Sequence, residues 1–239
     1  YDYWDDRVRR SILIDSRADI LVYGMGERAI CEVAEALDSG IDAGDIGWIR
    51  GTCVRAKLDS AGGSLTISDD DLVLPAFAEI ASDTSDARDA YGRSFAMQYR
   101  SNDPVNGRRI LEEYEDNNFV VQNPPAAPLE RQELDDIYAL PFERNYHPSY
   151  EKDGGVPAIR EVKFSITSNR GCFGGCAFCA ITYHQGREVR SRSIDSIVAE
   201  ARVMTEDPEF KGYIHDIGGP TANFRNPSCQ EQLKNGMCG

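Results

Sequence analysis

Residues 161–187 read EVKFSITSNRGCFGGCAFCAITYHQGR. In the first eight, Val162, Phe164 and Ile166 alternate with polar neighbours, the period of a half-buried strand. Residues 169–187 are rich in glycine and cysteine and read as a loop. Beyond it, SIDSIVAEARVMTED (193–207) predicts a helix: Ser193 is a good N-cap, and Ile194, Ile197, Val198, Ala201 and Met204 share one face. GYIHDIGGP (212–220) predicts a second strand, ending in two glycines. Strand, cysteine loop, helix, strand make one β/α unit. Its chemistry falls at the C-terminal ends of the strands, where barrel-type folds place their active sites.

The loop carries Cys172, Cys176 and Cys179 as C-x3-C-x2-C. Thiolates are soft ligands, suited to iron–sulfur clusters and to zinc. Three of them on a tight loop can hold three irons of a cubane, and the fourth iron is then open to a chelating ligand. Gly171, Gly174 and Gly175 let the backbone fold closely around such a group. The alternative is a zinc module, structural or in contact with nucleic acid, in which His184 completes a Cys3His tetrahedron. Zinc leaves the Gly–Gly strand end unexplained, and the usual paired-knuckle spacing is absent.

Working outward, residues 3–15 predict a helix from Trp4, Val8 and Ile12, 18–24 a short buried strand, and 26–40 a helix with the stripe Ile30, Val33, Ala34 and Leu37. Residues 46–56 read as strand and turn, 72–83 as mixed, 90–102 as helix, and 106–125 as a helix followed by a short extended piece. Gly24-Met25-Gly26-Glu27-Arg28-Ala29 fits the dinucleotide pattern G-x-G-x-x-A. Glu27, however, puts a carboxylate where pyrophosphate would approach, so a tight strand-to-helix turn is the better reading. Proline-rich spans at 123–134 and 140–159 mark a connector. The division is an α/β domain over 1–122, a linker over 123–159, and the start of a second domain over 160–239.

The chain has 239 residues and a net charge of −14. All of the excess lies in residues 1–150, with 15 Lys and Arg against 29 Asp and Glu, which argues against that half gripping nucleic acid. Residues 160–192 instead hold six basic residues against two acidic, a setting for an anionic ligand that Arg187, Arg190 and Arg192 would contact unless they are solvated surface groups. No apolar run reaches the ~18 residues of a membrane span. The charged first ten residues do not read as a signal peptide, and seven cysteines without one predict a reducing, cytoplasmic setting. Cys31 and Cys53 read as small buried residues. Cys229 and Cys238 are either ordinary thiols or part of a second metal site. His215 and Asp216 read as strand-end residues that either face the site or are structural.

With Phe178 at the aromatic position, the cysteine loop resembles the C-x3-C-x-aromatic-C motif of the radical SAM superfamily. The resemblance implies a [4Fe–4S] cluster on Cys172, Cys176 and Cys179. S-adenosylmethionine would chelate the open iron, with Phe178 near its adenine and Gly218, Gly219, Pro220 and Thr221 near its methionine amino group. Pro220 departs from the acidic residue often found after those glycines. It also implies a 5′-deoxyadenosyl radical acting on a substrate it does not name, and a small electron-donor protein as partner. SNRGCFGGCAFCAITYHQGREVRSRS, HDIGGPTANF and the opening YDYWDDRVRRSILIDSRADILVYGMGERAI are similar to the YgiQ family. That similarity implies a partial, cobalamin-binding-like (Rossmann-like) α/β domain followed by the start of a TIM-type (β/α) barrel. Tyr1 in place of Met fits a fragment, for which little turnover is expected. His147, His184 and His215 do not sit in a D-x-H-x-x-G loop, so no cobalamin is expected on this chain.

Overall fold

A computed structural model describes residues 1–58, 65–219, 229 and 231–237, apart from the side chain of Leu233. It divides into two compact units, one of residues 1–127 with 231–237, the other of residues 128–219 with 229.

The first unit is a mixed α/β layer. It contains α1 (Ile12–Ser16), β1 (Ile20–Val22), α2 (Glu27–Asp38), β2 (Thr52–Lys57), β3 (Leu72–Val73), α3 (Phe77–Ile80), α4 (Ser85–Ser101), β4 (Ile110–Glu113) and β5 (Asn118–Gln122). The sheet order is β1-β2-β5-β4-β3. Only β3 and β4 pair in parallel; the other three pairings are antiparallel, whereas a doubly wound Rossmann sheet is built on parallel strands. Register puts Val54 opposite Val121 and Val121 opposite Leu111, so these side chains share one face. They form an apolar cluster with Phe119 and Leu65. A second cluster, Ala29, Val33, Ala36, Ile46 and Ile49, packs with Ile20 and Val22 of β1. Leu111 is fully buried, so Leu111→Ala is expected to cost about 2–5 kcal/mol, read as a shift in denaturation midpoint. Loss of less than about 1 kcal/mol would show that this face is not the core.

Several expectations for this half are corrected. Residues 3–11 are not helical: the Asp2 carboxylate accepts from the N–H of Trp4 and Asp5, Asp6 adopts φ 52°, and the helix begins only after Ser11, whose hydroxyl caps Leu13 N. Over 106–125 the chain forms the β4–β5 hairpin instead of a helix. Asp116 and Asn117 turn it through positive φ, and Ile110 and Leu111 gain burial in the sheet that an isolated helix cannot offer. The inward stripe of α2 is Ala29, Val33 and Ala36, while Ile30 and Leu37 are exposed. At the N-terminus of α2 a Cβ on Gly26 would lie 2.6 Å from Val22 Cγ1, so the turn from β1 into the helix leaves no room for a side chain there. With Gly24 at φ 72° turning the chain, the G-x-G-x-x-A match is accounted for by this tight strand-to-helix packing. Strand β1 is half-buried at the sheet edge, and Cys31 is exposed.

The short helix α9 (Gln232–Asn235) belongs with this unit; Asn106 Nδ2 donates to its Asn235 carbonyl at 2.6 Å.

The second unit begins with α5 (Arg131–Tyr138), a 3-10 segment at Pro148–Asp153 and α6 (Ile159–Val162), all within 123–159 or just past it. It continues through β6 (Ser165–Thr167), β7 (Asn169–Arg170), α7 (Ile181–Gln185), β8 (Arg190–Ser191), α8 (Ile194–Thr205) and β9 (Asp216–Gly218). Strands β6 and β9 are parallel, with Ile166 opposite Ile217, and α8 lies between them in sequence. Ile166, Ile197 and Met204 form the core under α8, joined by Phe164, Ala201 and Ile214. Ser193 caps α8 as expected, its Oγ accepting from Ser196 N at 3.1 Å. The first strand is shorter than its alternation predicts: Val162 is exposed in α6, and pairing starts only at Ser165. Ile194 and Val198, placed on the buried face of α8 by periodicity, are exposed at its edge.

Candidate metal and cofactor site

The cysteine loop grows from a stem. β7 and β8 pair antiparallel, Asn169 opposite Ser191 and Arg170 opposite Arg190, and close the loop at its base. Three more hydrogen bonds tighten the neck. Gly171 N donates to Gln185 Oε1 at 3.1 Å, Cys172 N to the Gly186 carbonyl at 3.0 Å, and Ser168 N to the Gly218 carbonyl at 2.8 Å. The last of these sets the glycine end of β9 beside the stem, at the C-terminal ends of the two parallel strands. Gly171 sits at φ 88°, and a Cβ there would lie 2.0 Å from the Glu188 carbonyl oxygen. Gly171→Ala is therefore expected to cost about 1–3 kcal/mol in chemical denaturation, with Gly175→Ala, open on all sides, near neutral. Equal effects at the two positions would show that the neck does not need glycine.

Within the loop, Cys172 is buried, Cys176 exposed and Cys179 half-buried. Gly174 N donates to Cys172 Sγ at 3.4 Å, the kind of N–H···S contact that steadies a thiolate ligand. A Cβ on Gly174 would lie 3.4 Å from Cys172 Sγ and 3.7 Å from Cys176 Sγ, so both sulfurs converge on the space that glycine leaves open. Cys179 N donates to the Cys176 carbonyl at 3.0 Å, turning the chain between the second and third cysteines. The donor set and its glycine cradle fit a cluster held by thiolates. Among the described residues, however, no three His, Cys, Asp or Glu side chains already stand together as a metal site. Phe178 is 92% exposed at the tip.

The other expected residues fall as follows. Gly218 is buried in β9 and Gly219 follows it half-buried, while Pro220, Thr221 and Cys238 lie outside the described residues. Cys229 is half-buried. His184 is exposed on α7. His215 and Asp216 stand at the start of β9, not its end; the His215 ring meets Phe164 edge-on at 6.5 Å, at the opposite end of the strand from Gly218.

Of the three arginines expected to meet an anion or solvent, Arg187 and Arg190 are half-buried and Arg192 is fully buried. Arg192, expected to meet an anion or solvent, is 1% exposed and does neither. Its guanidinium donates to the Thr167 carbonyl at 2.9 Å, to Ser196 Oγ at 2.8 Å and to the Ser196 carbonyl at 3.1 Å, pairs with Glu200, and lies 4.1 Å from the Tyr138 ring centroid. Arg144 pairs with the same Glu200. Arg170 covers Tyr138 as well, 5.1 Å from its centroid. Arg190 pairs with Glu188 and, at 3.1 Å, with Glu130. Together these groups bind β6, the loop stem, α5 and α8 into one polar scaffold. Tyr138 and Arg144 had no signal in the sequence, since Arg144 stands in a proline-rich span and Tyr138 between two such spans, where no periodicity marks a buried face. Asn169, 1% exposed, escaped notice as one polar residue at the start of the glycine- and cysteine-rich loop; its Oδ1 accepts from Ser168 Oγ at 2.9 Å while its Nδ2 is buried with no hydrogen-bond partner among the described residues.

A family profile described as Radical SAM N-terminal matches residues 1–165, and the chain belongs to that family. The matched span ends just before the cysteine loop. Among relatives, it is 55% identical over 239 residues to a UPF0313 protein of Clostridium perfringens, covering all of this chain and 34% of the relative. It is 48% identical over 238 residues to a UPF0313 protein of Clostridium botulinum, covering all of this chain and 35% of the relative. The chain thus spans about a third of the length of these relatives. No solved structure matches. No helix of the described residues is long and apolar enough to cross a membrane.

Proposed function

We propose that this chain carries the cluster-binding part of a radical SAM enzyme, with Cys172, Cys176 and Cys179 as ligands of a [4Fe–4S] cluster. The observation that carries the reading is the cysteine loop itself: C-x3-C-x2-C, pinched at its neck beside the glycine end of β9, with Gly174 open to two of the sulfurs. When bound, the cluster and S-adenosylmethionine supply a 5′-deoxyadenosyl radical that takes a hydrogen atom from a substrate. The chain's own residues hold and orient. The Gly174 N–H steadies Cys172 Sγ, and Phe178 offers an exposed ring to the adenine. Gly218 and Gly219, followed by Pro220 and Thr221, bring backbone to the methionine end. Membership of the Radical SAM N-terminal family supports the class. The first unit is read as cobalamin-binding-like, of the YgiQ type, with a sheet that departs from the parallel Rossmann order, and the second as a β/α unit of a barrel, which the parallel β6–β9 pair supports. A small electron-donor protein and a cytoplasmic setting complete the proposal; all cysteines among the described residues are free thiols.

The test is reduction of the anaerobically reconstituted full-length protein, followed by electron paramagnetic resonance with and without S-adenosylmethionine. A cluster signal that changes on adding S-adenosylmethionine, with 5′-deoxyadenosine released, is expected. One tightly held zinc without sulfide would overturn the proposal in favour of a Cys3His module.

A further inference from the structure

One face of the first unit's sheet carries the Val54, Leu111 and Val121 cluster; the other mixes buried apolar side chains, Ile110 and Val120, with polar ones. Register places Cys53, Gln122 and Ile110 in a row across β2, β5 and β4, with Val120 and Glu112 beside them on the same face. Helix α4 covers this face, and its buried positions are Ala87, Ala90, Ser94 and Ser101. A core between helix and sheet is ordinarily filled by large apolar side chains. Here small helix residues meet a thiol, an amide and a carboxylate as well as the buried Ile110 and Val120, while both apolar clusters of the unit draw on Val54, Val121, Ile20 and their neighbours. The result is a cleft of about 310 Å³, within the size range of small-molecule sites.

Its chemistry is directional. Ser94 Oγ accepts from Gln98 Nε2 at 3.1 Å along the helix side. Glu112 Oε2 accepts from the Tyr114 hydroxyl at 2.6 Å, and that hydroxyl accepts from Ser11 N, so the carboxylate is held in place at the wall of the cleft. Burial pushes the Glu112 carboxyl up, the sign of a carboxylate short of compensating charge. Among the described residues Arg9 is the only basic side chain of the lining, and Asp2 and Asp5 already bind it. The Cys53 thiol, pushed up to about 12 by burial, stays neutral. Aromatic rings from Tyr91 and Phe95 also line the cleft, and ring faces attract cations. The acidic excess of residues 1–150 draws positive ligands toward this half of the chain.

We propose that the cleft between α4 and the sheet is a binding site for a small organic ammonium ion, its charge on Glu112 and its short apolar body against Leu74, Ile110 and Val120. The site lies in the first unit and stands independently of the cluster proposal.

The experiment is calorimetric titration of the full-length protein with benzylamine, benzyl alcohol and benzoate, which differ chiefly in the charge of the head group. Benzylamine is expected to bind at least about tenfold more tightly than the alcohol, the loss typical when a charged hydrogen bond is removed, and benzoate not at all. Glu112→Gln keeps the shape and an acceptor for Tyr114, and should reduce benzylamine to the level of the alcohol. The ligand series on the unaltered protein decides the matter even if the variant folds poorly. Equal binding of amine and alcohol, no binding of benzylamine, or a preference that survives in a folded Glu112→Gln protein would each overturn the proposal.

Discussion

Cys176→Ala in the full-length protein is expected to lose nearly all of its iron and acid-labile sulfide after anaerobic reconstitution, while the unaltered protein holds about four of each. Cys176 is exposed at the loop tip, and its change to Ala removes a ligand without disturbing a core. Cys172→Ser should lose the cluster too, but Cys172 is buried and accepts from Gly174 N, so some of its effect will be on the loop itself. Cys31→Ala, exposed on α2 of the other unit, is the control and should keep full iron and sulfide. The comparison separates a ligand from a fold effect. If Cys176→Ala retained the iron and sulfide of the unaltered protein, the assignment of this loop would be wrong. Iron retained by Cys176→Ala but not by Cys172→Ser would assign the loop a structural role around Cys172 alone.

The second large effect is expected at Arg192. This guanidinium is 1% exposed and pairs with the half-buried Glu200, which the half-buried Arg144 also pairs, so the three form an Arg–Glu–Arg group with Arg192 at its buried end. Removing one member of such a group leaves charge without compensation in a poorly solvated place, at a cost of about 3–5 kcal/mol. Arg192→Met keeps the apolar stem, so the loss would report the guanidinium: its bonds to Thr167 and Ser196, its pairing with Glu200 and its place over Tyr138. Arg192→Lys should recover only part, because an ammonium cannot reproduce the planar fork. Arg202→Met, exposed on the same helix, should stay within about 0.5 kcal/mol. Denaturant titration of all three decides it. An Arg192→Met protein within about 1 kcal/mol of the parent would mean that the scaffold beneath the cysteine loop is not held by this group.

These two predictions concern the two layers of one site. The outer layer presents sulfur at a loop tip. The inner layer fixes where that loop leaves the sheet, through the β7–β8 stem, the Gly171 neck and the Arg192 contacts to the end of β6. Precision in the first depends on rigidity in the second, since a ligand set on a loose loop loses its geometry.

What the sequence by itself determined was local. The C-x3-C-x2-C spacing, the glycines around it, the Ser193 cap and the Gly–Gly end of the next strand are all written within a few residues of each other, so spacing alone was enough to place them. The parallel pairing of β6 with β9 followed from the same short stretch, because a strand, a helix and a strand in that order leave few other arrangements. What only the tertiary structure decided depended on partners far away in the chain. Ile110 and Leu111 carry helix-compatible neighbours yet form a strand, because β5 and β3 bury them on either side. Helix α2 turns Ala29, Val33 and Ala36 inward and leaves Ile30 and Leu37 exposed, because that stripe is the one that meets Ile20 and Val22 of β1 and Ile46 and Ile49 beyond it. Arg192, read as an anion contact or a solvated surface group, became the buried centre of a polar network, since Tyr138, Arg144 and Glu200 come together around it from separate segments. Periodicity reports which side of an element can be buried; which neighbour buries it, and at what distance, is a property of the packed fold.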